Sequence, residues 1–184
     1  VTAAADAGKH ILCEKPMSSS VAEADAMIEA ARRNNVKLLI GHSRRFTNRY
    51  QQIRAAIDRG AIGEVRLVRE NERRAAALYT EVSNRAGYWR PEGSRPWLSL
   101  SQYSQGAALT NAVHEMDLAL WFAGADAESI YAESRINDPE GEVPDFISYT
   151  IKFRNGAVGA AEICNQLPSG YPYFHMMEVF GTDG

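Results

Sequence analysis

The stretch His10-Ile11-Leu12-Cys13-Glu14-Lys15-Pro16-Met17 decides how the chain is read. An unbroken apolar run, Ile11 to Cys13, passes straight into Glu14, Lys15 and Pro16. A short apolar run bounded by turn chemistry fits a parallel strand buried on both faces. Proline has no N–H to give to a ladder, so the strand stops at Pro16. Glu14 and Lys15 then sit at the carboxyl end of a central strand, the edge where open α/β sheets bind ligands. A lysine at that edge has two readings. One is a solvated surface group beside a glutamate. The other is an ammonium that exchanges a proton with a substrate oxygen. Glu-Lys-Pro alone does not choose between them.

Working outward, Ser20 and Glu23 have capping-box spacing at a helix start. Ala24, Met27, Ile28 and Ala31 follow at i, i+3, i+4 and i+7, an apolar stripe on a charged helix. Residues 36–40 are a second buried strand, closed by Gly41 and His42. Strand, helix and strand in this order predict a parallel βαβ unit. Asn48 and Gln51 offer a cap for the next helix, with Tyr50, Ile53 and Ile57 on its apolar face. Between them lies His42-Ser43-Arg44-Arg45-Phe46, again at the ligand edge, where the arginines are either a solvated loop or part of a site.

After Gly63 the pattern changes to alternation. Residues 65–73 read as a half-exposed antiparallel strand. Residues 130–136, 146–153, 157–164 and 176–180 read as further strands, with Asn155-Gly156 as a hairpin turn between two of them. The fold class is therefore α/β plus α+β. Residues 1–62 are a parallel βαβ domain, and residues 63–184 are a second domain with a mostly antiparallel open sheet. The border is placed at 61–63. An open, apolar sheet face is seldom left wet, so a homodimer or homotetramer is expected.

Residues 106–122, GAALTNAVHEMDLALWF, read as one helix stopped by Gly124. Leu109, Val113, Met116, Leu120 and Trp121 form its expected core face. Thr110, Asn111, His114, Asp117 and Leu118 fall on neighbouring rows. His114 and Asp117 are one turn apart, where a carboxylate orients an imidazole or raises its pKa. By residue type alone, such a histidine is commonly packed or exposed. Residues 76–105 are irregular and aromatic. Tyr88, Trp89, Trp97 and Tyr103 either pack as a satellite cluster or wall a cleft for sugar-like rings.

With 45% hydrophobic and 23% charged residues, the 184-residue chain has the composition of an ordinary globular protein. A net charge of -3 gives no reason to expect nucleic acid or an anionic membrane, and no apolar run reaches the ~20 residues of a membrane span. Cys13 and Cys164 read as reduced thiols, no metal-ligand spacing appears, and the expected compartment is the cytoplasm.

AGKHILCEKP (7–16), GHSRRF (41–46), GAIGEV (60–65), the His114-x-x-Asp117 helix and EVFGTDG (178–184), in this order, resemble the Gfo/Idh/MocA family of nicotinamide-dependent oxidoreductases, of which glucose–fructose oxidoreductase and inositol dehydrogenase are typical. The resemblance covers nearly the whole chain and implies that residues 1–62 are the C-terminal part of a Rossmann dinucleotide-binding domain. It implies a hydride transfer between NAD or NADP and a secondary alcohol of a sugar, polyol or related ring compound. It makes Lys15 and His114 the proton-transfer pair, and Asn111, Asp117, Thr110 and Trp97 the substrate side. Glu14, Lys15, Pro16 and Arg45 then lie on the cofactor side.

Family enzymes carry Asp-x-Gly-x-His-x-x-Asp here; this chain has Thr110 for the first Asp and Ala112 for the Gly. Asn111 supplies hydrogen-bonding capacity that the missing Asp would have given. Two other readings are a non-catalytic sensor of dinucleotide and sugar, and an NAD-dependent glycoside hydrolase of the same superfamily. No G-x-G-x-x-G occurs, so the chain reads as an internal fragment of a longer enzyme. The residue that separates NAD from NADP would lie outside it.

Overall fold

The structure is a computed structural model; it describes residues 1–76, 97–102 and 104–184, and of Trp97 the backbone alone. Tyr88, Trp89 and Tyr103 therefore lie outside the described residues, as does the Trp97 side chain. Two compact units emerge, Val1–Phe46 and Thr47–Gly184.

In the first unit, α1 (Thr2–Asp6) leads into β1 (Ile11–Glu14), then α2 (Val21–Arg33) and β2 (Leu38–Gly41), with a 3₁₀ turn at Ser43–Phe46. The two strands are parallel, with Ile11 opposite Leu38 and Glu14 opposite Gly41, as the βαβ pattern predicts. Asp6 on α1 accepts hydrogen bonds from Arg33 and Asn34 at the end of α2, both at 2.8 Å, fastening the helices together. These guanidinium and amide donors hold the Asp6 carboxyl below its usual range.

Burial on both strand faces is not observed. Ile11 and Cys13 are half-buried, whereas Leu12 and Leu39 are 74% and 54% exposed. The side chains of a strand alternate between its faces, and within this unit only one face is shielded. The helix stripe is also displaced: Met27, Ala30 and Ala31 are buried and Ile28 is exposed. Ser20 is the N-cap, but its side chain makes no capping bond. The Ser18 hydroxyl donates to Glu23 instead, at 2.6 Å.

The second unit begins with α3 (Asn48–Asp58), whose Tyr50, Ile53 and Ile57 join this unit's core; the sequence pattern drew the border after this helix. Thr47, not Asn48, is its N-cap. Next come β3 (Val65–Ala75), a 3₁₀ turn at Trp97–Ser99, a π-helical turn at Ala108–Ala112 and α4 (Val113–Ala123). The strands β4 (Ala127–Arg135), β5 (Phe146–Phe153), β6 (Val158–Leu167) and β7 (Phe174–Gly181) follow.

The sheet order is β4-β5-β6-β3-β7. Three of its pairings are antiparallel, and β3–β6 is parallel. Asn155-Gly156 makes the β5–β6 hairpin turn as predicted. Gly156 N–H donates to the Phe153 carbonyl, and the Asn155 side chain accepts from Ala157 N–H. β3 is interior to the sheet and half-exposed, with Arg66 and Arg69 exposed and Val68, Glu70 and Glu72 buried; it departs from the expectation only in pairing parallel with β6 as well as antiparallel with β7.

The core lies between α4 and the inner sheet face, where Phe122, Phe153, Leu118, Ile163 and Val68 are fully buried. Each such side chain contributes about 1.5–3 kcal/mol of apolar transfer. The buried residues of α4 are Glu115, Asp117, Leu118, Ala119, Phe122 and Ala123. Of the expected core face, Leu120 is 39% exposed and Val113 and Met116 are only half-buried. Apolar residues surround this helix, so periodicity could not fix its rotation, and the small Ala119 and Ala123 permit the closer approach to the sheet.

The outer sheet face is not an apolar expanse. Arg69 pairs with Glu178, Arg73 with Glu162 at 2.8 Å and Lys152 with Glu128 at 3.0 Å, with Val158 and Phe180 exposed nearby. Among the described residues no helix is long and apolar enough to cross a membrane.

Candidate active site

In the first unit, the turn Glu14-Lys15-Pro16 leaves the carboxyl end of β1, and Gly41-His42 leaves that of β2 beside it. Lys15 and Pro16 are half-buried and Glu14 is exposed. The Lys15 N–H lies 3.3 Å from the Glu14 carboxylate. Arg45, in the 3₁₀ turn after β2, is half-buried at the same edge and its N–H donates to the His42 carbonyl. Two adjacent parallel strands ending in a cation-bearing turn offer the donor set and the sheet edge that a dinucleotide uses. The residues present fit such a ligand.

In the second unit, Gly106 sets the start of the π-helical turn. Its φ is +75°, and a Cβ there would lie 2.3 Å from the Pro144 carbonyl oxygen. Ala107 N–H donates to that same oxygen at 2.7 Å. Thr110 and Asn111 lie within the turn, and His114 and Asp117 on the first turns of α4. A π-helical turn inside a helix is a frequent mark of function; periodicity reasoning treated the whole segment as one α-helix. Thr110 and His114 are half-buried, Asn111 and Asp117 buried. The Asn111 side-chain carbonyl accepts from Asn165 Nδ2 at 3.1 Å and lies 3.1 Å from the Thr110 hydroxyl. The structure thus brings Thr110, Asn111, His114 and Asp117 into one segment, and Glu14, Lys15, Pro16 and Arg45 to one edge.

Polar groups that the sequence reading missed lie under α4. Glu70 and Glu72 on β3 and Glu115 on α4 are 2%, 0% and 1% exposed. Glu72 pairs with Arg74 and accepts from the Tyr173 hydroxyl at 2.9 Å. Burial first, and then the Glu72 charge, pushes the Tyr173 phenol above its usual range. His175 Nε2 meets Glu70, and Arg49 lies 2.7 Å from Nδ1.

Glu70, Glu115 and His175 hold their ligand atoms within 4.8 Å of one another, as a metal centre would. Arginine is only a donor, however, so Nδ1 accepts and Nε2 carries the proton toward Glu70. Arg49, His175 and Glu70 therefore form a hydrogen-bonded chain beside Glu115, and a metal on Nε2 would have to break the Arg49 contact. The signal available in sequence was the alternation Val68-x-Glu70-x-Glu72, which equally fits an outward charged row.

Residues 50–184 match the GFO/IDH/MocA C-terminal domain. The chain belongs to the GFO/IDH/MocA family. Residues 1–42 match the NAD-binding Rossmann fold of the oxidoreductase family, which agrees with the resemblance, the fold class and the nicotinamide cofactor read from the sequence. A myo-inositol 2-dehydrogenase of Thermotoga maritima is 30% identical over 189 residues, covering 100% of this chain and 50% of that protein. An NAD⁺-dependent scyllo-inositol 2-dehydrogenase of Bacillus subtilis is 30% identical over 186 residues, covering 98% and 48%. Among solved structures, a levoglucosan dehydrogenase in complex with NADH superposes with a TM-score of 0.82 at 27% identity, covering 98% of this chain and 48% of that one. This GFO/IDH/MocA chain thus spans about half the length of these relatives.

Proposed function

We propose that the full-length protein is an NAD(P)-dependent dehydrogenase acting on a secondary alcohol of a sugar, polyol or related ring compound. One observation carries this reading. A Glu14-Lys15-Pro16 turn closes a parallel strand at its carboxyl end, in a chain that matches an NAD-binding Rossmann family. Glu14, Lys15, Pro16 and Arg45 are the cofactor-side residues, and Asn111, Asp117, Thr110 and Trp97 the substrate side. When bound, the nicotinamide would supply the acceptor for the hydride of the carbinol carbon. Lys15 and His114 share the proton work: one accepts the hydroxyl proton as the C–H electron pair departs, leaving a C=O bond. A positive Lys15 also stabilises charge developing on that oxygen. Asp117, one turn beyond His114, orients the imidazole.

The relatives' names, inositol and levoglucosan dehydrogenases, support a ring polyol or anhydrosugar as substrate and favour neither the sensor nor the glycoside hydrolase. We also assign a homodimer or homotetramer joined through the outer sheet face, where Val158 and Phe180 stand among the ion pairs. The cytoplasm is the proposed compartment, supported by Cys13 and Cys164 both being free thiols.

The test is NAD and NADP reduction by the full-length protein with myo-inositol, scyllo-inositol and levoglucosan. The reading requires turnover with at least one of them. Saturable binding of NADH and polyol with no turnover would establish the sensor instead. Light scattering that returns a monomer at micromolar concentration would remove the oligomer.

A further inference from the structure

We propose that Asn165 is a positioning residue that pins the Asn111 side chain so that Asn111 offers its amide N–H groups, not its carbonyl, to the substrate. Asn165 lies near the end of β6, in the inward row that includes Ala161 and Ile163. That row calls for an apolar residue, yet Asn165 is 0% exposed. Its Nδ2 donates to Asn111 Oδ1 at 3.1 Å, while its own Oδ1 has no partner among the described residues. A buried orphan acceptor is a net cost to folding that a leucine of similar size would not carry. Such a breach of the inward pattern is expected where a residue serves a site.

The backbone holds Asn165 in place, since its N–H donates to the Asp145 carbonyl at 3.0 Å. From the other side, the Thr110 hydroxyl lies 3.1 Å from Asn111 Oδ1 and 2.8 Å from the Gly106 carbonyl, so one hydroxyl proton serves both. The Asn111 carbonyl therefore faces inward. Its Nδ2 takes no bond among the described residues and is the group left to meet a lone pair on a substrate oxygen. This deepens the dehydrogenase reading, because it takes Asn111 to be on the substrate side. The hydrogen bond itself does not depend on that reading.

The test uses the full-length protein with asparagine side chains labelled with ¹⁵N, together with Asn165→Asp and Asn165→Leu. In the wild type, the Asn165 amide protons exchange slowly with water and those of Asn111 rapidly. A carboxylate at 165 cannot donate, so it turns the Asn111 amide over and draws its N–H groups inward. Their exchange then slows by about tenfold or more, as for any newly formed internal bond.

With whichever of myo-inositol, scyllo-inositol or levoglucosan is turned over, KM rises by about tenfold, the equivalent of one lost hydrogen bond. kcat changes less than about twofold, because ground-state and transition-state binding are lost together. Asn165→Leu restores the apolar row and guards against a misfolded aspartate variant. It keeps the melting temperature, frees the Asn111 amide and raises KM. Asn111 resonances and exchange unchanged in both variants would overturn the proposal. Inverted Asn111 exchange with no turnover of any of the three alcohols would keep the pin and remove the dehydrogenase.

Discussion

His175 on β7 is held between Arg49 on α3, whose guanidinium lies 2.7 Å from Nδ1, and the buried carboxylate of Glu70 on β3. Because arginine cannot accept, the imidazole is the Nε2–H tautomer, and one side chain joins a helix to the middle of the sheet. His175→Ala removes the donor to Glu70 and the acceptor for Arg49. Urea unfolding is expected to show a loss of about 1–3 kcal/mol, the range for a broken buried hydrogen bond to a charged group. A loss near zero would show that the chain of contacts contributes nothing.

Two glycines make a paired prediction. Gly106 and Gly124 both have positive φ, +75° and +64°, but only at Gly106 would a Cβ meet backbone, the Pro144 carbonyl at 2.3 Å. Gly124→Ala is expected to cost about 1–2 kcal/mol, the ordinary left-handed penalty. Gly106→Ala costs more, and it displaces the turn that carries Thr110 and Asn111. Thermal melts of the two variants check the order, and equal losses would contradict it.

Alkaline pH reports on Tyr173. Burial and Glu72 raise its folded pKa above the ordinary 10.0. The unfolded chain therefore releases this proton first as pH rises, and the folded chain later. The contribution to stability is complete below about pH 10 and is lost as pH climbs through the folded value. Tyr173→Phe should flatten the decline of Tm above pH 10 and lose about 1 kcal/mol at pH 7 through the broken Glu72 bond. An unchanged slope would contradict the shift.

Cys164 is 9% exposed, and burial, as the largest cause, pushes its thiol up. Little thiolate is present near pH 8, and little of the sulfur is reachable. Iodoacetamide should modify it at least about tenfold more slowly in the native protein than in urea. Equal rates would mean that the end of β6 opens freely.

Most of the topology was legible in the sequence because it rests on one-dimensional signals. Pro16 ends a strand, Asn155-Gly156 turns a hairpin, and Gly124 stops a helix at φ +64°. The rotation of α4 was not legible, since Val113, Met116, Leu118, Leu120 and Phe122 are spread round the helix and its acidic residues Glu115 and Asp117 are buried. Buried Glu70 and Glu72 were hidden for a different reason. Their partners, His175, Arg74 and Tyr173, come from the same strand two residues on or from positions roughly a hundred residues away. Lys15 was singled out by its strand end and His114 by its spacing to Asp117. Asn165 was missed because a single asparagine in a strand carries no periodic signal.

The central claim is that Lys15 and His114 move the proton that accompanies hydride transfer. Its most direct test is steady-state NAD reduction by full-length Lys15→Ala and His114→Ala, using the best of the three alcohols. Each variant should lose about 100-fold or more in kcat, the usual worth of a positioned acid or base, and His114→Ala should keep its NADH affinity. If each left kcat within about threefold of the wild type, under ~1 kcal/mol of barrier, neither group would carry the proton and the account would fail.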